Sequence, residues 1–329
     1  MVDVIKENNK LFIEQDGQRY DLKKLPDGFV IKGDLDLSYV GITKLPDLSK
    51  VTVEGNFNCS GNQLKSLKGA PKEVGGDFDC SGTTIKNLEG SPKQVGGNFN
   101  CSSNSDMSSL SGAPQQIKGD FDCHQSVWLR TLEGGPKEVG GNFDCSDSHL
   151  TSLQGAPQTI GKNFNCSFSR ISSLDGGPKE VDGDFNCSNN LRLSSLKGAP
   201  EIINGNLDCS DNRSLKSLDG LPPQIGGTFN CRFCQNLQSE ENAPKEFTSV
   251  TNAAPDDLYG RKSLSEDIKT QQAEPQKNSA NTLTARKFDQ RVDNRTTTAT
   301  QQKEAQTKTQ PTLTNNNAFI LNQSSLGRD

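Results

Sequence analysis

Nine of the ten cysteines recur at a nearly constant interval. They stand at Cys59, Cys80, Cys101, Cys123, Cys145, Cys166, Cys187, Cys209 and Cys231, spaced 21 or 22 residues apart. Leu37 holds the same place 22 residues before Cys59, within Gly33-Asp34-Leu35-Asp36-Leu37-Ser38. A fixed period of this length marks a chain of stacked coils. Apolar residues are only 30% of the chain, well below the roughly 45–50% of ordinary soluble domains. Such a chain buries its little apolar surface repetitively, because no single coil can cover its own apolar face.

Each coil has a readable division of labour. Val74, Gly76, Phe78 and Cys80 share one parity, so a single strand running through them would send all four to one face, with Asp77 and Asp79 on the other. Phe57, Phe78, Phe99, Phe121, Phe143, Phe164, Phe185 and Phe229, with Leu35 and Leu207, form one column, expected to stack at about 4.8 Å. Leu64, Ile85, Met107, Leu129, Leu150, Ile171, Leu193 and Leu215 close the core opposite. Gly69 and its seven equivalents each precede a proline by two residues. Glycine supplies the positive φ of a tight corner, and proline stiffens the extended segment after it. Three residues after each cysteine stands Asn62, Thr83, Asn104, Ser126, Ser148, Ser169, Asn190 or Asn212, expected to satisfy main-chain groups where the strand ends.

Phe57-x-Cys59-x-x-Asn62-x-Leu64-x-x-Leu67 resembles the leucine-rich repeat, with Phe and Cys in place of two leucines. With the following Pro71 and the next short strand, it is similar to the short repeats of bacterial type III effectors over roughly residues 22–240. That resemblance implies a bacterial, effector-like interaction protein. Several such effectors carry a ubiquitin-ligase domain with a catalytic cysteine. No cysteine follows Cys234 here, so that activity is not expected.

The resulting expectation is a β-rich, leucine-rich-repeat-like solenoid of about ten coils with a parallel sheet on the concave face. Residues 1–32 form an N-terminal cap built on a hairpin about Asp16-Gly17. Residues 33–244 form the solenoid. Residues 245–329, rich in Thr, Gln, Asn and Lys, read as a disordered tail, with Ala318-Phe319-Ile320-Leu321 a candidate linear motif within it.

The solvent face of the sheet carries the candidate site. One column reads Asp34, Asn56, Asp77, Asn98, Asp120, Asn142, Asn163, Asp184, Asn206, Thr228; the other reads Asp36, Asn58, Asp79, Asn100, Asp122, Asp144, Asn165, Asn186, Asp208, Asn230. Strands ordinarily disfavour Asp and Asn, and only Asp122 and Asp144 place two carboxylates in adjacent coils within a column. Asn spacers make the Asp residues tolerable, because like charges directly opposite destabilise a sheet. Asp34, Asp36, Asp77, Asp79, Asp120, Asp122, Asn142, Asp144, Asp184 and Asp208 are the candidate contact residues for a protein partner, a basic one by charge. The alternatives are a solvated structural relic of the repeat that contacts no partner, and Ca²⁺ held by their oxygens. Trp128 is a candidate anchor, either contacting a partner or packing over its turn.

No catalytic, cofactor or metal set is expected. Cys231-x-x-Cys234 invites a zinc or redox reading, but Cys234 occupies the Asn62-equivalent position of its coil, so the period accounts for both. Free thiols acting as small buried hydrophobes are expected. His124 and His149 lie in turns of different coils and read as solvent-facing. A net charge of −5 gives no case for nucleic acid, and no apolar run is long enough to span a membrane. Without a recognisable leader, the expectation is a monomer that stays in the cytosol or is exported without a cleaved signal.

Overall fold

The computed structural model describes residues 2–8 and 10–238. The expected tail, its Ala318–Leu321 motif and the last residues of the expected solenoid lie outside the described residues. The described chain is a β-solenoid. Ten parallel two-residue strands, from Leu35–Asp36 to Phe229–Asn230, pair in strict sequence order, giving about nine turns. Equivalent residues are in register, as with Phe121 opposite Phe143 and Asp122 opposite Asp144. The only helical segment among the described residues is the 3-10 turn Leu22–Lys24.

One expectation needs correction. The strand through Val74, Gly76, Phe78 and Cys80 is two strands, Glu73–Val74 and Phe78–Asp79, separated by a bend. The first piece of each coil pairs in its own rows, one of four strands beginning at Val30–Ile31 and one of six ending at Gln224–Ile225. The in/out alternation survives the bend, with Val74, Phe78 and Cys80 buried. Crowding accounts for the glycines at this bend. A Cβ on Gly76 would lie 2.2 Å from Asn56 Oδ1, and one on Gly75 would lie 2.1 Å from the Glu54 carbonyl oxygen. The previous coil therefore favours a side-chain-free backbone here, although Glu54, Lys118, Lys162, Asp182 and Asn204 stand at the equivalent places of other coils.

Burial follows the columns. Val53, Phe57, Cys59, Leu64 and Leu67 are fully buried, and their equivalents continue from coil to coil. The phenylalanine rings from Phe57 to Phe185 stack with centroids 5.0–5.5 Å apart and planes within 6–23°. At the far corner Ala70 N–H donates to the Leu67 carbonyl at 2.9 Å. Gly69 and its equivalents supply the positive φ there, 81–99°.

The N-terminal cap contains the expected hairpin, Lys10–Gln15 against Gln18–Asp21. Asp16 and Gly17 both have positive φ, 53° and 73°, the requirement of a two-residue type I′ turn. A third strand, Val4–Glu7, pairs antiparallel with Lys10–Gln15. Val2 continues the cap onto the solenoid: it bridges Leu35 in parallel and donates its N–H to the Asp34 carbonyl at 2.9 Å. The first edge of the ten-stranded sheet is thereby partly covered, which limits its availability for pairing with other chains.

Candidate functional site

The first Asp/Asn column sits where the chain bends between its two strand pieces. There the side chain does the work of a main-chain carbonyl. Asp34 Oδ1 accepts the Asn56 N–H at 2.8 Å, Asn56 Oδ1 accepts Asp77 N–H at 2.7 Å, and the relay continues through every coil to Thr228. Each bond carries one column residue onto the next. The N–H groups would otherwise be unpaired at the bend, and burying an unpaired amide is costly.

The second column works within its own coil. Its Oδ1 accepts the N–H two residues on, from Asp36 with Ser38 at 2.8 Å to Asn230 with Arg232 at 3.2 Å. These Asx turns close the strand end. Both roles require a side-chain carbonyl oxygen and neither requires a charge, so Asp and Asn are interchangeable in them. The amide of a following Asn adds a second bond to the preceding carboxylate, as in Asn206 Nδ2 to Asp184 Oδ1 at 2.9 Å and Asn165 Nδ2 to Asp144 Oδ2 at 3.1 Å.

All ten residues named from sequence on this face lie in these two relays, and all are half-buried. The adjacent pair Asp122 and Asp144 is accompanied by His124, whose Nδ1 lies 2.7 Å from Asp122 Oδ1. His124 is therefore half-buried and partnered rather than simply solvent-facing.

The asparagines three after a cysteine behave as the sequence suggests, whereas Ser126 at this position makes no side-chain hydrogen bond. Asn104 Nδ2 donates to the carbonyls of Cys80 and Cys101 at 3.1 and 2.9 Å, and Asn190 and Asn212 make the same paired bonds. Cys234 fills this position in the last coil, where its thiol donates to the Cys209 carbonyl at 3.2 Å. Burial pushes the column thiols, such as Cys101 and Cys145, well above the ordinary thiol range. Among the described residues, no group of three or more His, Cys, Asp or Glu is placed to hold a metal ion.

A second surface lies along the turns that follow the ten-stranded sheet, and here coil length shapes it. In 22-residue coils the extra residue closes an additional turn, with Leu129 N–H donating to Ser126 O and Leu193 N–H to Asn190 O, both at 2.9 Å. Val127 and Trp128 in one such coil, and Leu191 and Arg192 in another, are consequently exposed. Between them lie two 21-residue coils, each with one residue fewer at this point and serine, Ser148 or Ser169, in place of Asn. An open groove of about 680 Å³ results, lined by Val127, His149, Phe168, Arg170, Leu191 and Arg192 among others.

Phe168 stands out within this groove. It occupies the position two after the cysteine, which has positive φ in every coil and is otherwise mostly Gly, Asn, Asp, Ser or Gln. Phe168 adopts φ 53° while 58% exposed, so a bulky side chain is held in an unfavourable backbone region without being buried. Tyr39 and Phe233 share that conformation and are also exposed, but Tyr39 lies over Gly61 and Phe233 stands in the last described coil; Phe168 alone of the three lines the groove.

Trp128 is 55% exposed and meets His149 edge-on, with centroids 6.5 Å apart. It thus both packs over the turn and remains open to contact. His149 is half-buried beside it, not free in solvent. Partial burial, then the charges of Arg170 and Arg130, push its imidazole below the ordinary range.

Apart from Trp128, sequence reasoning did not select these groove residues. The signal was available in the spacing, where two short coils lie between longer ones, and in an aromatic residue occupying a Gly/Asn/Asp column. Among the described residues, no helix is long and apolar enough to cross a membrane. No family model, curated protein or solved structure matches this chain.

Proposed function

We propose that the chain is a non-enzymatic protein-interaction scaffold whose principal contact surface is the turn-edge groove. The observation that carries this reading is Phe168, exposed in a left-handed conformation in a groove it lines with Arg170, Leu191 and Arg192, with Trp128 adjoining through His149. Trp and Arg are the side chains that most often dominate binding energy. An exposed aromatic held at a backbone cost fits selection for contact rather than for folding. The coil stack supplies a rigid support, the usual arrangement for recognition loops.

A second reading places a basic partner on the sheet face. Asp34, Asp36, Asp77, Asp79, Asp120, Asp122, Asp144, Asp184 and Asp208 are half-buried carboxylates held in orientation by their main-chain bonds. Their pairing with a basic segment would be salt-sensitive. Ca²⁺ has less support on this face, because each Oδ1 is already engaged and Asn interrupts the carboxylates. A bacterial, effector-like role in the cytosol, or after export without a cleaved leader, is the finer reading that the repeat resemblance favours.

Selection of a random displayed-peptide library on the full-length protein tests these readings. Enriched peptides should lose binding to a Phe168→Asn, Trp128→Ala variant. Loss on replacing Asp77, Asp79, Asp120, Asp122 and Asp144 by Asn instead would move the contact to the sheet face. Failure to enrich any peptide would count against the scaffold reading.

A further inference from the structure

We infer that the turn-edge groove takes an acidic protein segment carrying apolar side chains, laid across the coils between Trp128 and Arg192. This rests on the reading of the groove as a contact surface and adds the chemistry of its occupant.

The groove combines two demands. Val127, Phe168 and Leu191 are 40%, 58% and 54% exposed, so apolar surface remains to be covered, and covering it is favourable in proportion to its area. The cationic side is contributed by Arg170 and Arg192 in the lining and by Arg130, whose charge reaches the floor at His149. Among the described residues, none of these three guanidiniums has an ion-pair partner. Asp147 is the one acidic residue in the lining, which leaves the groove net positive on a chain whose overall charge is −5. An unpaired guanidinium fork matches a carboxylate bidentately. His149, kept below the ordinary imidazole range, contributes a neutral ring against Trp128 rather than a further cation.

A nucleic acid would exploit the same arginines and rings, but it fits less well. Three cations give little counterion release, whereas the net charge of the protein repels a polyanion. A short acidic peptide meets the local charge without that long-range penalty, since exposed charges beyond about 8–10 Å are screened.

The shape of the groove derives from the spacing of the coils. Its walls are 22-residue coils and its floor is two 21-residue coils with serine at the ladder position. In the wall coil that carries Trp128, Ser126 Oγ is buried with no hydrogen-bond partner. The equivalent Asn104, Asn190 and Asn212 of other 22-residue coils are fully bonded. The turn bearing Trp128 is therefore less firmly tied to its neighbours than the corresponding turns elsewhere, which suits a wall that adjusts to an occupant.

The test is a fluorescence-anisotropy titration of the full-length protein with three synthetic decapeptides that alternate a polar residue with Leu or Phe. The polar residue is Glu, Gln or Lys. A twelve-nucleotide oligothymidine serves as a fourth probe. The Glu peptide should bind about tenfold or more tighter than the Gln peptide, and the Lys peptide weakest. Arg170→Gln with Arg192→Gln should bring the Glu peptide to the level of the Gln peptide. Phe168→Asn should weaken both without lowering the melting temperature. Equal binding of the Glu and Gln peptides, both lost in Phe168→Asn, would overturn the acidic partner while leaving the groove as a contact surface. Peptide binding indifferent to Phe168→Asn, or no binding at all, would overturn both. An oligothymidine that outcompetes the Glu peptide would replace the protein partner with a nucleic acid.

Discussion

Asp120 Oδ1 accepts the main-chain N–H of Asn142 at 2.7 Å, and the same oxygen lies 2.1 Å from where a Cβ on Gly141 would stand. The side chain of one coil therefore occupies the space that a side chain in the next would need. The relation repeats at Gly76 with Asn56 and at Gly183 with Asn163. Lys162 is the natural exception, and there the relay bond from Asn163 N–H to Asn142 Oδ1 is the longest, 3.2 Å. Gly141→Ala is expected to lower stability by about 1–3 kcal/mol. Lys162→Gly should stay within about 1 kcal/mol of wild type, relief of crowding offsetting the entropy of glycine. Urea unfolding of the two variants checks this; equal, small effects would mean that the bend tolerates a side chain.

Phe143 and Phe168 separate packing from recognition within adjacent coils. Phe143→Ala removes a ring stacked at 5.2–5.3 Å on both sides and should cost roughly 3–5 kcal/mol. Phe168→Asn relieves the positive-φ strain of an exposed aromatic and should leave stability unchanged or raise it by up to about 1 kcal/mol. Comparable losses in denaturant melts would show that Phe168 is a structural residue.

The buried thiols make the fold sensitive to alkali. Burial raises Cys80, Cys101, Cys123 and Cys145 well above the ordinary thiol range, whereas the unfolded chain titrates them near ~8.5. Above that pH the unfolded state has released protons that the folded state retains, so stability falls as pH rises. Each such thiol contributes about 1.4 kcal/mol per pH unit to the decline. Melting temperature should be nearly flat from pH 7 to 8 and drop steeply by pH 10, with a shallower drop in Cys145→Ala. Below that range most column thiols should resist a thiol reagent until the protein unfolds, with half-buried Cys234 reacting first. A melting point independent of pH up to 10 would contradict this assignment.

Much of the fold was legible because period and parity are geometric. Cys59 and its successors count the coils, and the Phe and Leu columns mark the core. Cys234 could be assigned to the Asn ladder from the period alone. The bend at Gly75-Gly76 was not legible, because alternation alone cannot distinguish a continuous strand from two pieces that keep the same parity. The role of the sheet face was legible only in part, for a related reason. Rows of Asp and Asn suggest charge to a reader of sequence, whereas Asp120 and Asn58 are each engaged through a carbonyl oxygen that the two residue types share. The groove escaped notice because its residues, Val127, Phe168, Arg170 and Leu191, form no motif in any one coil and meet only through stacking.

Ser126 offers a local test of the ladder. Its buried hydroxyl has no partner, while Asn104 one coil earlier bonds two cysteine carbonyls. Ser126→Asn should supply those bonds to the carbonyls of Cys101 and Cys123 and stabilise by about 0.5–1.5 kcal/mol. A destabilised variant would indicate that this coil has too little room for the amide.

The sheet face is held by side-chain oxygens and not by charge. Replacing Asp77, Asp79, Asp120, Asp122 and Asp144 together by Asn removes five carboxylates and leaves every Oδ1 acceptor in place. It also relieves the repulsion between Asp122 and Asp144 in adjacent strands. The decisive measurement is the unfolding midpoint of this five-Asn protein against wild type at pH 7. The predicted result is a midpoint equal to or above wild type, with the same secondary-structure spectrum. A clear fall, of about 2 kcal/mol or more, would show that the carboxylate charges themselves hold the solenoid together.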